Sequence, residues 1–190
     1  MPTTLEKHVV ATRLLDRAIR MYFDGEDALF TLSLAHPAHL ILKDLAERKF
    51  PGQSAMRQVH DGLVAEGKTF TEDGLAVDQF KDFLNFLHKV PNAAKHADRG
   101  QETHVTYDDE NALAIMNVAC AHAQQLGLDT QVHFLFNAWQ IAMDASVEPP
   151  DTMKIFADAL FPGIQHLSHE AQLAMGRQSL ADAAKSSRPE

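Results

Sequence analysis

Apolar residues recur at intervals of three and four along almost the whole of this 190-residue chain, and no segment shows a sustained apolar/polar alternation. That period stacks one stripe of side chains on one face of a helix, whereas a half-buried strand needs a period of two. Val, Ile and Thr, the β-branched residues that suit a pleated surface, are also sparse beside Ala and Leu. A chain patterned this way is expected to be all-α. It should fold as a single-domain bundle of seven or eight helices with no sheet, spanning 1–184, followed by a frayed tail at 185–190.

Start and stop signals divide the pattern. Thr3 and Glu6 have the spacing of a capping box, so the first helix is expected to begin after Thr3 and run to about Phe23, with Leu5, Val9, Leu15, Ala18 and Tyr22 on one face and Gly25 ending it. A second stretch runs from Asp27 to Lys49 with Pro37 inside it. Proline lacks the N–H that would bond back along the helix and disfavours helical dihedrals at His36, so a kink or break is expected there. Ser54–Glu66 reads as a short helix closed by Gly67, and Leu75–His88 as a longer one carrying Phe80, Phe83, Leu84 and Leu87. Lys89–Tyr107, with Pro91, Gly100 and no periodicity, should be mostly loop. Further helices are expected at Asp108–Leu126, stopped by Gly127; at Thr130–Ala145, stopped by Pro149 and Pro150; at Asp151–Leu160; and from Ser168 to about Ala184.

Composition narrows the function classes. Seventeen Lys and Arg against 26 Asp and Glu give a formal charge of −9, which argues against long-range attraction to a polyanion and makes any nucleic-acid contact a local one. Cys120 is the single cysteine, so an intramolecular disulfide and a thiolate zinc cage are both excluded, in keeping with a reducing compartment. The N-terminal MPTTLEKHVV lacks the cationic start and apolar run of a secretion signal, and no run approaches the ~20 apolar residues of a membrane span, so a cytoplasmic protein with no membrane partner is expected.

Against that acidic background one segment is locally basic. His88-Lys89-Val90-Pro91-Asn92-Ala93-Ala94-Lys95-His96-Ala97-Asp98-Arg99 gathers two lysines, an arginine, two imidazoles and an amide. If Asn92–Asp98 forms a helical turn, Asn92, Lys95 and His96 share a face. Lys89, Asn92, Lys95 and Arg99 are then the candidate ligand-binding residues for a phosphate. His96 is the candidate catalytic residue, since an imidazole exchanges a proton near neutral pH.

The stretch KVPNAAKHADR, placed after FKDFLNFLH and before a Tyr107-Asp108-Asp109 helix start, resembles a family of small bacterial helical proteins. These in turn resemble HEPN domains (higher eukaryotes and prokaryotes nucleotide-binding). Asn92 and His96 match the polar residue and the histidine of the HEPN motif; the position of its arginine is Pro91 here, and Lys89 is the nearest upstream base. The resemblance implies a homodimeric helical protein that binds nucleotide or RNA at 88–99, with RNase activity open. An alternative is a non-catalytic protein that assembles through an apolar helix face.

His36-Pro37-Ala38-His39 places two imidazoles close together on one helix. A metal needs further ligands, and none stands at a recognisable spacing, so His36 and His39 are expected to bind no metal and the chain to carry no cofactor. Cys120, Met116, Met143, Met153, Met175 and Trp139 fall at core-like positions, where packing explains them. No Gly-rich phosphate loop, nucleophile elbow or His-Glu-x-x-His motif is present.

Overall fold

The computed structural model describes residues 4–53, 55, 70–72, 75–77, 84–90, 104, 106–144 and 152–186. Among them lie seven α-helices: α1 (Lys7–Phe23), α2 (Ala28–Lys49), α3 (84–90), α4 (Asp109–Leu126), α5 (Gln131–Met143), α6 (Thr152–Leu160) and α7 (His169–Ser186), with a 3₁₀ turn at Ile164–His166 before α7. The all-α architecture follows from the sequence pattern. Buried residues of all seven helices form one contiguous hydrophobic cluster.

The caps show why these segments end where they do. Asp108 and Asn111 close a reciprocal capping box on α4, Asn111 N donating to Asp108 Oδ1 at 3.0 Å, and Gly127 stops the helix in the left-handed region at φ 70°. Thr130 caps α5 in the same way, with His133 N donating to its hydroxyl at 3.2 Å. Buried Lys154 serves the other end of α5, donating to the carbonyls of Ile141 and Ala142 at 3.2 Å each and pairing with Asp158 at 2.9 Å.

Several local expectations are corrected. α1 begins at Lys7, with Glu6 at its N-cap making no side-chain bond; Thr3 lies outside the described residues. Pro37 does not split α2, which is one 22-residue helix. Proline removes the bond that its own N–H would give and crowds the carbonyl one turn back at Ser33, and α2 runs through these costs held on either side by buried residues from Ala28 to Ala46.

The expected helix at Leu75–His88 starts instead as a strand. Leu75–Val77 pairs antiparallel with Phe70–Glu72, Glu72 opposite Leu75, and helical residues come later, at 84–90. The sequence between the strands is Asp73-Gly74, a dipeptide that favours a two-residue hairpin and outweighs the helical spacing downstream. This two-stranded hairpin is the one departure from helix among the described elements. α7 reaches Ser186, so the helix continues into the tail expected to fray. The expected helix at Ser54–Glu66 lies, apart from Ala55, outside the described residues, as does 91–103. Among the described residues no helix is long and apolar enough to cross a membrane.

Candidate functional site

α2 lies between α1 and α4, and its inner face carries alanines where bulk would hold the helices apart. Ala35 and Ala38 on α2, and Ala119 and Ala123 on α4, are fully buried. The space these small side chains leave is filled by imidazoles. His36 and His39, one turn apart on α2, meet His88 from α3 and His122 from α4. His39 is wholly buried, His122 and His36 are nearly so, and His88 is half-buried.

The four rings form a connected cluster. Ring centroids stand 6.5 Å apart for His36 and His39, 5.3 Å for His36 and His88, 5.8 Å for His39 and His88, and 5.5 Å for His39 and His122. His36 Nε2 and His88 Nδ1 are 3.1 Å apart and share a hydrogen bond. Deeper in, hydrogen bonding stops. Neither ring nitrogen of His39 and neither of His122 has a hydrogen-bond partner. Leaving one buried polar group unsatisfied costs about 1–3 kcal/mol, and protein cores seldom leave two such imidazoles side by side.

The cluster also keeps its inner members uncharged. Burial pushes the His39 imidazolium well below its ordinary range, reinforced by the neighbouring His122, His88 and His36 and by Lys43. Burial lowers His122 to about 4, against the Gln125 side chain, whose approach favours the charged form, and with Lys43 lowering it further. At neutral pH both rings are therefore neutral and hold their lone pairs ready, the state in which imidazole ligates a metal.

Geometry bears on that chemistry in two ways. An imidazole bound to an ion at ~2.1 Å has its centroid ~3.2 Å from the ion, so two tetrahedral ligands have centroids ~5 Å and nitrogens ~3.4 Å apart. The His36–His88, His39–His88 and His39–His122 centroid separations and the 3.1 Å approach of His36 to His88 lie near those values, whereas His36 and His39, at 6.5 Å, stand wider. As the rings stand, however, no three histidine, cysteine or carboxylate groups among the described residues converge tightly enough to hold an ion. Cys120 on α4 belongs elsewhere: burial, with Asp16 and Asp129 nearby, raises its thiol pKa and keeps it protonated.

The sequence-derived site is placed only in part. Lys89 is exposed at the end of α3, and its neighbour His88 turns into the imidazole cluster. Asn92, Lys95, His96 and Arg99 lie outside the described residues. The apolar helix face required by an assembly protein has a counterpart on α5 and α6, where Phe134, Met153, Ile155 and Phe156 are exposed and the Phe134 and Phe156 rings lie 5.4 Å apart.

Sequence reading found His36 and His39 but missed their partners. Sequence spacing offers His36 and His39 no further ligand, whereas the fold brings beside them His88, 52 positions from His36, and His122 from another helix. The available signal was a histidine at a core position, since His122 falls within the buried stripe that includes Ala119 and Ala123. Comparisons with family models, with curated proteins and with solved structures find no match to this chain. The class reached is an all-α protein with a buried histidine cluster.

Proposed function

We propose that this chain is a transition-metal-binding protein whose ion is held by His36, His39, His88 and His122. The observation that carries the proposal is the pair of wholly enclosed imidazoles, His39 and His122, with all four ring nitrogens unpartnered inside a cluster of four. Imidazole suits zinc, copper, nickel and iron, whereas magnesium and calcium want a shell of oxygens, and among the described residues this cluster offers four imidazoles beside the single side-chain oxygen of Gln125. Loading requires the rings to turn about χ1 and χ2 and the outer pairs to draw closer, because the nitrogens are not yet convergent and His36 and His39 stand 6.5 Å apart at their centroids. Four imidazoles fill a tetrahedral shell, so the ion ties α3 and α4 to α2 and has no open position for activating water. The function is metal holding, in storage or sensing, rather than hydrolysis.

Isothermal titration of chelator-treated protein with zinc tests this, with thermal melts run in parallel. One equivalent is expected to bind and to raise the melting temperature, since a ligand that binds only the folded state stabilises it by mass action. His39→Leu, which keeps the bulk and removes both nitrogens, should abolish binding while the protein stays folded. Wild-type protein that takes up no zinc at micromolar concentration, or a His39→Leu variant that binds equally well, would falsify the proposal.

A further inference from the structure

We propose that the cleft between the second half of α1 and the middle of α7 is an oxyanion site for a phosphate-bearing small molecule, walled by Arg17, Arg20 and Arg177. It is separate from the histidine cluster and does not depend on it. The cleft has a volume of about 170 Å³ and is lined by the three arginines, Asp24, Phe23, Leu180 and Ala181.

Local sequence and packing build it. Arg17 and Arg20 are three residues apart on α1, so their side chains rise on the same face. α7 reaches α1 very closely here because Gly176 has no side chain: a Cβ at that position would stand 2.4 Å from the Phe23 ring. The contact brings Arg177 across the gap, where its Nε donates to the Phe23 carbonyl at 3.3 Å and lies 3.5 Å from Asp24 Oδ1. Arg177 is thus oriented before any ligand arrives.

Charge says what the ligand must be. Three guanidinium groups and one carboxylate leave two positive charges in one cleft, on a chain whose formal charge is −9. Among the described residues the Arg17 and Arg20 side chains have neither an ion pair nor a hydrogen bond, so no carboxylate there offsets their mutual repulsion. A dianionic phosphate monoester neutralises the pair of charges. Guanidinium is the planar fork that grips two oxygens of such a group at once, and Phe23, Leu180 and Ala181 give the organic part of the ligand an apolar floor.

Calorimetric titration with inorganic phosphate at low ionic strength tests the site. Saturable binding of one equivalent is expected, weakening as salt is added. Arg17→Ala and Arg20→Ala should each weaken it about tenfold, and Arg20→Lys, which keeps the charge and loses the fork, by several-fold. Arg13→Ala, a neighbouring exposed arginine of α1 outside the cleft, should change nothing. Far-ultraviolet circular dichroism verifies that each variant is folded, and Arg20→Lys carries the test if an alanine variant is not. The proposal is overturned by no saturable binding at roughly 10 mM phosphate, a concentration that would populate even a millimolar site; by equal losses in Arg13→Ala and Arg20→Ala; or by acetate binding as tightly as phosphate, which would make the cleft a carboxylate site.

Discussion

Two buried junctions in this molecule place polar groups inside an apolar cluster, and they treat those groups in opposite ways. Where α5 meets α1 and α7, Phe23 packs edge-on against Trp139 at 5.3 Å and Phe136 at 6.1 Å, and every named polar atom is used. Trp139 Nε1 donates to the Gln172 carbonyl at 2.9 Å, and the Gln172 amide donates to the carbonyls of Ile164 and Leu167 at 3.2 and 3.1 Å. Where α2 meets α3 and α4, the rings are as well enclosed but His39 and His122 bond to nothing. Close packing alone does not distinguish the two junctions; satisfaction does. The aromatic junction is complete as it stands, whereas the histidine junction carries lone pairs that make sense once something accepts them.

The largest expected effect that would separate the junctions is pH dependence of the metal-free protein. His122 titrates at about 4 when folded, below the ordinary imidazole value of 6.5, so the unfolded chain takes up its proton first. Stability is then fully present above pH 6.5 and lost as pH falls towards 4, by on the order of 3 kcal/mol from His122 alone, with His39 adding in the same direction. His36, His88, Lys43 and Gln125 are the groups facing these two rings. Urea unfolding at a series of pH values should show this slope in wild type, a shallower one in His122→Leu, and an unchanged one in Trp139→Phe, which is weakened equally at each pH.

Next in size is the cost of removing a polar side chain. Gln172→Leu removes the amide from the Leu167 carbonyl and leaves the Ile164 carbonyl with the Leu167 N–H alone, and should cost about 1–3 kcal/mol in urea unfolding at pH 7. His39→Leu removes two nitrogens that bond to nothing, so in metal-free protein it should cost less than about 1 kcal/mol or stabilise. Equal costs would erase the contrast between the junctions. The smallest effect concerns Lys43, half-buried one turn beyond His39, whose charge opposes any cation in the cluster. Lys43→Met should tighten zinc binding by roughly two- to fivefold, the scale of one partly screened charge.

The helices were legible because their signals are local. Asp108, Gly127 and Thr130 act on the next turn of chain, and the structure places the termini of α4 and α5 beside them. The hairpin signal at Asp73-Gly74 is equally local, and it prevails over the helical spacing that Phe80, Phe83, Leu84 and Leu87 suggest for the whole of Leu75–His88. The sites were less legible. His88 and His122 join His36 and His39 only through helix packing, and Arg177 meets Arg17 and Arg20 only because Gly176 lets α7 approach Phe23. A run of polar residues such as 88–99 attracts attention in a linear sequence, while residues gathered from three helices do not.

Cobalt(II) replaces zinc in imidazole sites and reports its own geometry, so visible absorption during titration of metal-free protein with cobalt tests the central claim most directly. A tetrahedral four-imidazole site absorbs far more strongly than octahedral aqueous cobalt. The expected result is an intense band that saturates at one equivalent, is displaced by zinc, and is lost in His39→Leu and His122→Leu but retained in His8→Leu, whose histidine lies at the exposed start of α1. A spectrum that stays that of aqueous cobalt, or a band that survives both His39→Leu and His122→Leu, would contradict a metal-holding histidine junction.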